Sequence, residues 1–206
     1  THKIPFIPTE TEIDQLIAAL GKKMAVFLQL LKETGMRPGE AVKLKWTDLD
    51  HVGNTLRLNE PEKGSNARIF KLSNKLMAML NDLPRTWLEI FGPFNLDTHR
   101  RNYQRQRKRI AYKLKNPRIL QISFQTMRHF KGTMEYHRTK DILHVMRVLG
   151  HRNIKNTLVY TQLLPEKDDE YVVKVARTID DAKTLLECGF DYVTDMDSIK
   201  LFRKRK

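Results

Sequence analysis

Seven residues, Thr34-Gly35-Met36-Arg37-Pro38-Gly39-Glu40, constrain this chain more than any others. Ahead of them, residues 22–33 repeat apolar side chains (Ala25, Phe27, Leu28, Leu31) near helical spacing, which predicts a helix. Gly35 is placed to end that helix. Pro38 is placed near the first position of the next one, predicted over 38–44, where its missing N–H costs nothing. The stretch is therefore a corner between two helices, with Arg37 in the joint and Glu40 three positions on. A guanidinium offers forked, charge-assisted hydrogen bonds that suit a phosphodiester.

The rest of the chain reads as mainly α with a small antiparallel β-sheet. The first residues look like a linker. Thr9 and Glu12 form a capping box that opens an amphipathic helix through Leu20. Turns at 50–54 and 62–66 bracket strand-like runs at 55–58 and 67–72. Ser73 caps a helix through Leu83. Helices are expected at 97–116, 124–137 and 141–149, the last ended by Gly150, with a helix or helix–loop region over 153–161. After Pro165 and the acidic residues Glu166, Asp168, Asp169 and Glu170 the pattern changes. A strand at 171–176, a helix at 178–187 and strands at 190–194 and 199–203 make a β-α-β-β tail, too small to count on as an independent fold. The expected organisation is one domain over 1–165 and an extension over 166–206.

Charge restricts the function classes. The chain has 206 residues, 40% hydrophobic and 30% charged, as expected of a soluble globular protein. No apolar run approaches the roughly 20 residues that span a bilayer, so no membrane role is expected. Cys188 stands alone, which excludes an internal disulfide or a cysteine zinc cage and fits a reducing, cytoplasmic setting. The formal net charge of +14 points to an anionic polymer as partner. The basic helix over 97–116 carries Arg100, Arg101, Arg105, Lys108 and Arg109 as candidate DNA-backbone contacts. Its positive residues run nearly all round, which argues against a helix packed in a core. Seven scattered histidines make no metal site, and no cofactor is expected.

Downstream of the corner lie Gln125-Thr126-Met127-Arg128-His129, then Leu149-Gly150-His151, then Tyr160 nine positions past that histidine. Taken in this order with Arg37, these residues resemble the active site of the tyrosine recombinases, or lambda-integrase family. The resemblance runs from about Pro8 to Leu163, the span of the family's catalytic domain. It implies that Arg37 and Arg128 clamp the scissile phosphate, with Glu40 as supporting acid. His151 would hydrogen-bond a non-bridging oxygen, and Tyr160 would be the nucleophile. Lys63, in the turn Glu62-Lys63-Gly64-Ser65-Asn66, resembles the family's mobile β-turn lysine, a general acid for the leaving 5′ oxygen; Lys71 is a weaker candidate.

Gln125 is the departure, because the family has histidine there. Glutamine can donate to a phosphate oxygen but cannot act as a base near neutral pH, so Tyr160 lacks its usual proton acceptor. His129 reads as a core histidine on a different helix face, without that role. The resemblance further implies double-stranded DNA as substrate, self-assembly as a tetramer on DNA, and no metal. The family's N-terminal DNA-clamping domain is expected to be absent from this chain. The tail resembles the extra segment on integrases of archaeal mobile elements. Two alternatives stand beside this reading: a type IB topoisomerase-like nicking and resealing activity, and a catalytically weakened DNA-binding module.

Overall fold

The computed structural model describes residues 5–93, 95–162, 171–196 and 199–205. The acidic run at 166–170, and Pro165 before it, lie outside them. The chain divides into two compact units, Thr1–Leu163 and Leu164–Lys206.

In the first unit, helices α1 (Glu10–Ala19) and α2 (Lys22–Thr34) follow one another, α1 opened by the predicted Thr9 capping box. Every residue of α2 from Met24 to Leu31 is buried. A helix apolar on all sides has to sit at the centre of a core, and α2 packs against α1, α4 (Asn74–Asn81) and α6 (Phe124–Thr139). Phe27 anchors that centre, edge-on to Phe91 at 4.9 Å and Phe124 at 5.0 Å and stacked on His99 at 5.4 Å. Gly35 takes the left-handed cap (φ 63°), and α3 (Pro38–Val42) begins as expected but stops two residues before Leu44.

A three-stranded antiparallel sheet, β1 (Leu49–Asp50), β2 (Thr55–Leu58) and β3 (Arg68–Lys71), follows in simple order, with Leu56 opposite Phe70 and Leu58 opposite Arg68. The two-residue β1 lies where a turn was expected to start.

Helix α5 (Leu96–Lys113) corrects the reading of its charge pattern. Its arginines and lysines leave room for a buried stripe of His99, Tyr103, Ile110 and Ala111. The helix is thus packed in the core on one side and basic on the other. The Tyr103 hydroxyl donates to the Ile122 carbonyl at 2.8 Å, tying α5 to the chain just ahead of α6. Then come α7 (Ile142–Leu149), α8 (Lys155–Leu158) and a 3-10 turn, Val159–Gln162, that carries Tyr160.

The second unit is the β-α-β-β arrangement: β4 (Tyr171–Ala176), α9 (Ile179–Glu187), β5 (Asp191–Met196) and β6 (Ile199–Arg205). The antiparallel sheet has the order β4-β6-β5. Ala176, Ala182, Leu185, Phe190 and Phe202 form its own small core. Among the described residues no helix is long and apolar enough to cross a membrane.

Candidate active site

The corner after α2 is built around Glu40, whose side chain is fully buried. Its carboxylate accepts from the Arg37 backbone N–H at 2.8 Å, Arg37 Nη1 at 3.3 Å, the Glu62 N–H at 3.1 Å and Arg68 Nη2 at 2.8 Å. One acid thus joins the corner, the turn after β2 and strand β3. Arg37 extends the tie by donating from Nη1 to the Glu62 carbonyl at 3.2 Å and to Ser65 Oγ.

The same network reaches the far end of the unit. Arg128, 2% exposed on α6, donates from Nη1 to the Gly35 carbonyl and from Nη2 to the Leu149 carbonyl, both at 2.7 Å. Arg68 Nη1 donates to that Leu149 carbonyl as well. The arrangement depends on Gly150. Its backbone is left-handed (φ 69°), and a Cβ there would lie 2.9 Å from the Arg68 guanidinium, so any side chain would meet both strain and a clash. Past this glycine, His151 Nδ1 pairs with the buried Thr157 Oγ1 at 2.9 Å.

Tyr160 packs with Val145 and Leu149 and is 3% exposed. Its ring lies over Gly132 of α6, where a Cβ would come within 2.7 Å of Cζ. Its Oη is 3.5 Å from His129 Nδ1.

Charge makes these groups one site. Burial, then repulsion from Arg37, brings Arg128 down to about 10, still a cation at neutral pH. Burial, then Arg128, Arg37 and Arg68, pushes His151 down to about 4, so its imidazole is neutral. Burial raises the Tyr160 hydroxyl, while Arg128 and Arg37 pull it the other way. Burial and Arg128 lower His129. Arg37 and Arg128 therefore act on both His151 and Tyr160. Such a site can hold an oxyanion between guanidiniums beside a tyrosine hydroxyl.

The other expected residues lie at the margin. Lys63 is exposed in a left-handed turn conformation (φ 53°), without a hydrogen-bond partner among the described residues. Both Glu62 before it and Ser65 after it are bonded to Arg37, so its turn is fastened to the site. Lys71 donates instead to the Gly53 carbonyl. Gln125 is exposed near the start of α6, lining a cavity of about 260 Å³ with Pro38, Arg100, Tyr103 and Arg107. Arg100 pairs with Asp97 at 3.0 Å, and Arg101, Arg105, Lys108 and Arg109 are exposed on α5. Among the described residues no group of three or more His, Cys, Asp or Glu side chains is placed so that it could hold a metal ion.

Sequence reasoning missed the contacts of Arg68, Ser65 and Thr157, and it gave His129, on a different helix face from Arg128, no contact with Tyr160. Arg68 left one signal. It falls in phase with buried Phe70 on the inward face of β3, and a charge at an inward strand position needs a partner.

The profile of the phage integrase family matches residues 8–167, and the chain belongs to that family. It is 26% identical over 167 residues to the tyrosine recombinase XerA of Saccharolobus solfataricus, covering 79% of this chain and 54% of that protein. The chain thus spans about half the length of that relative. The fold is shared with the crystal structure of XerA recombinase (TM-score 0.65, 22% identity, 81% of this chain and 61% of the other). It is shared also with the Tn1549 transposon integrase in complex with transposon right end DNA (TM-score 0.68, 16% identity, 91% and 67%).

Proposed function

We propose that this chain is the catalytic part of a site-specific DNA recombinase or integrase that cleaves and rejoins strands through a 3′-phosphotyrosyl intermediate. The observation that carries this reading is that Arg128 bonds the Gly35 carbonyl, two residues before Arg37, and the Leu149 carbonyl, two residues before His151, while Tyr160 packs on Leu149 and on Gly132 of the helix that bears Arg128. The substrate is double-stranded DNA, in keeping with the DNA held by the Tn1549 integrase. The work is done inside the cell, by copies assembled as a tetramer on DNA.

Each residue has a task in the reaction. Arg37 and Arg128 hold the non-bridging oxygens of the scissile phosphate and stabilise the extra charge of the five-coordinate transition state. His151, its Nδ1 paired with Thr157 Oγ1, turns Nε2 to one of those oxygens and donates to it in the tautomer that carries the hydrogen there. Gln125 adds a neutral donor. Tyr160 Oη attacks phosphorus, and Lys63 protonates the departing 5′ oxygen. Glu40 takes no part in the chemistry and keeps Arg37 in register. Arg101, Arg105, Lys108, Arg109 and Arg100 track the DNA backbone along α5.

The test is covalent trapping. Nicked suicide duplexes of randomised sequence lose a short 5′-hydroxyl fragment after attack and leave protein on the DNA. The expected result is an adduct mapped to Tyr160 and none with Tyr160→Phe, which still binds the duplex. An adduct of normal yield from Tyr160→Phe rejects the assignment. Relaxation of supercoiled plasmid without any exchange of ends would place the chain with nicking–resealing enzymes instead.

A further inference from the structure

The proposed reaction leaves one proton without a destination. As Tyr160 Oη bonds to phosphorus, its hydrogen must go to a base, and the amide of Gln125 is not one. We propose that His129 Nδ1 takes this proton, which makes His129 a catalytic residue. The inference rests on the recombinase reading and adds to it.

The geometry is specific. Among the described residues, His129 alone brings a polar side-chain atom within hydrogen-bond distance of Tyr160 Oη, at 3.5 Å. That is long for a bond already made, but catalytic contacts are commonly loose before substrate binds and tighten in the complex. Both partners are well supported. Tyr160 lies against Gly132, one turn along α6 from His129, and the two ring centroids are 6.0 Å apart. His129 follows Arg128 directly, so one rigid helix carries the phosphate clamp and the base on adjacent positions. Successive residues point about 100° apart on a helix: Arg128 faces the Gly35 and Leu149 carbonyls, and His129 faces the turn that carries Tyr160.

The other bases nearby are engaged. His151 Nδ1 is paired with Thr157. Glu40 is taken up by Arg37, Arg68 and the Glu62 N–H. Glu135 holds Lys131, Arg138 and His144. The charged and titratable groups that bear on His129 are Arg128 on its own helix, Tyr160 on the 3-10 turn and His151 after α7. Burial and Arg128 keep its ring neutral near pH 7. A neutral imidazole with its hydrogen on Nε2 has a free lone pair on Nδ1. The arriving phosphate brings negative charge beside the ring and restores its basicity.

The step balances. The Oη–P bond forms and the P–O5′ bond breaks. The Oη proton passes to His129 Nδ1, giving an imidazolium, and the departing oxygen takes a proton from Lys63. On rejoining, the 5′-hydroxyl gives its proton back to Lys63 as it attacks. The imidazolium then returns its proton to the leaving phenolate.

The experiment uses the 206-residue chain and the randomised pool of nicked duplexes. Single-turnover adduct formation is followed for wild type, His129→Asn, His129→Ala and Gln125→Ala. A lost general base lowers the rate by about 10²–10⁴-fold, and that is expected for both His129 variants with DNA binding retained. Added imidazole should raise the rate of His129→Ala and leave Gln125→Ala unchanged. A wild-type rate in His129→Asn, or no response of His129→Ala to imidazole, overturns the role. One measurement needs no variant: nitrogen NMR of the wild-type chain should show His129 with Nδ1 bare and Nε2 protonated, and the opposite tautomer rules the base out. If wild type itself forms no adduct, the recombinase reading falls and the base with it. Failure at His129 alone leaves the recombinase reading standing.

Discussion

At the scale of single residues, Glu40 carries the largest structural load. It is a buried carboxylate shared by Arg37 and the nearly buried Arg68. Breaking a buried ion pair from one side costs about 3–5 kcal/mol, because the remaining charge is left uncompensated. Glu40→Gln keeps the shape and removes the charge, so unfolding in urea should move to lower concentration by a stability loss in that range. A loss below about 1 kcal/mol would show that water or another acid takes over.

Gln125 is a second residue-scale test. If it donates to the bound phosphate, Gln125→Ala should slow cleavage by the worth of one hydrogen bond to a charged group, about 1.5–3 kcal/mol in the barrier. An unaltered rate would remove it from the site.

The short runs that carry Arg37, Glu40, Arg128, His151 and Tyr160 could be singled out in the sequence because each has recognisable neighbours; the contacts of Arg68 and His129 could not. Their parts are set by which way a strand or helix faces, and that follows from packing against residues far away in the chain.

At the scale of elements, α6 connects the whole site: Arg128 and His129 lie on it, and its Gly132 is the floor under the Tyr160 ring. Gly132→Ala puts a methyl carbon 2.7 Å from Tyr160 Cζ. The ring has to move, at an overpacking cost of about 1–3 kcal/mol. The expected outcome is loss of adduct formation with DNA binding preserved, and normal cleavage by this variant would mean that Tyr160 reacts from another position.

Helix α5 makes a different demand. Replacing Arg101, Arg105 and Lys108 together should weaken binding to every duplex and flatten its salt dependence, by about 0.9 in slope per lost phosphate contact. A slope that stays the same in a filter-binding titration means that this face is merely solvated.

Helix boundaries were readable where an end is marked by chemistry, as at Thr9, Gly35, Ser73 and Gly150. The packing of α5 was hidden because its buried stripe, His99, Tyr103 and Ile110, is thinly apolar and interleaved with arginines. The short β1 carries no pattern at all in two residues.

At the scale of the molecule, buried and half-buried histidines set the acid limb of stability. His151 is held down to about 4, and His99 and His129 are lowered too, all by burial first. A histidine whose folded pKa lies below its unfolded value contributes in full above about pH 6.5. The contribution is lost as pH falls toward the folded value. Glu12 and Glu135, both near 2, keep theirs until pH drops below the ordinary carboxylate range. Urea unfolding should therefore show lower stability at pH 5.5 than at 7.5, and the reverse order would contradict neutral buried imidazoles.

The network around Leu149 has one more consequence. It gathers three guanidiniums, those of Arg37, Arg68 and Arg128, and among the described residues one carboxylate, Glu40, answers them. The folded chain thus carries a surplus of positive charge in its interior, while in the unfolded chain the same arginines are dispersed in water. By mass action, any anion small enough to settle there draws the population toward the native state. Sulfate should raise the melting temperature more than chloride at equal ionic strength, and Arg128→Met should narrow the difference to what sulfate's general exclusion from protein surfaces supplies. Under the proposed function the phosphodiester is a counterion before it is a substrate, and each strand bound would help to fold the protein proposed to cut it.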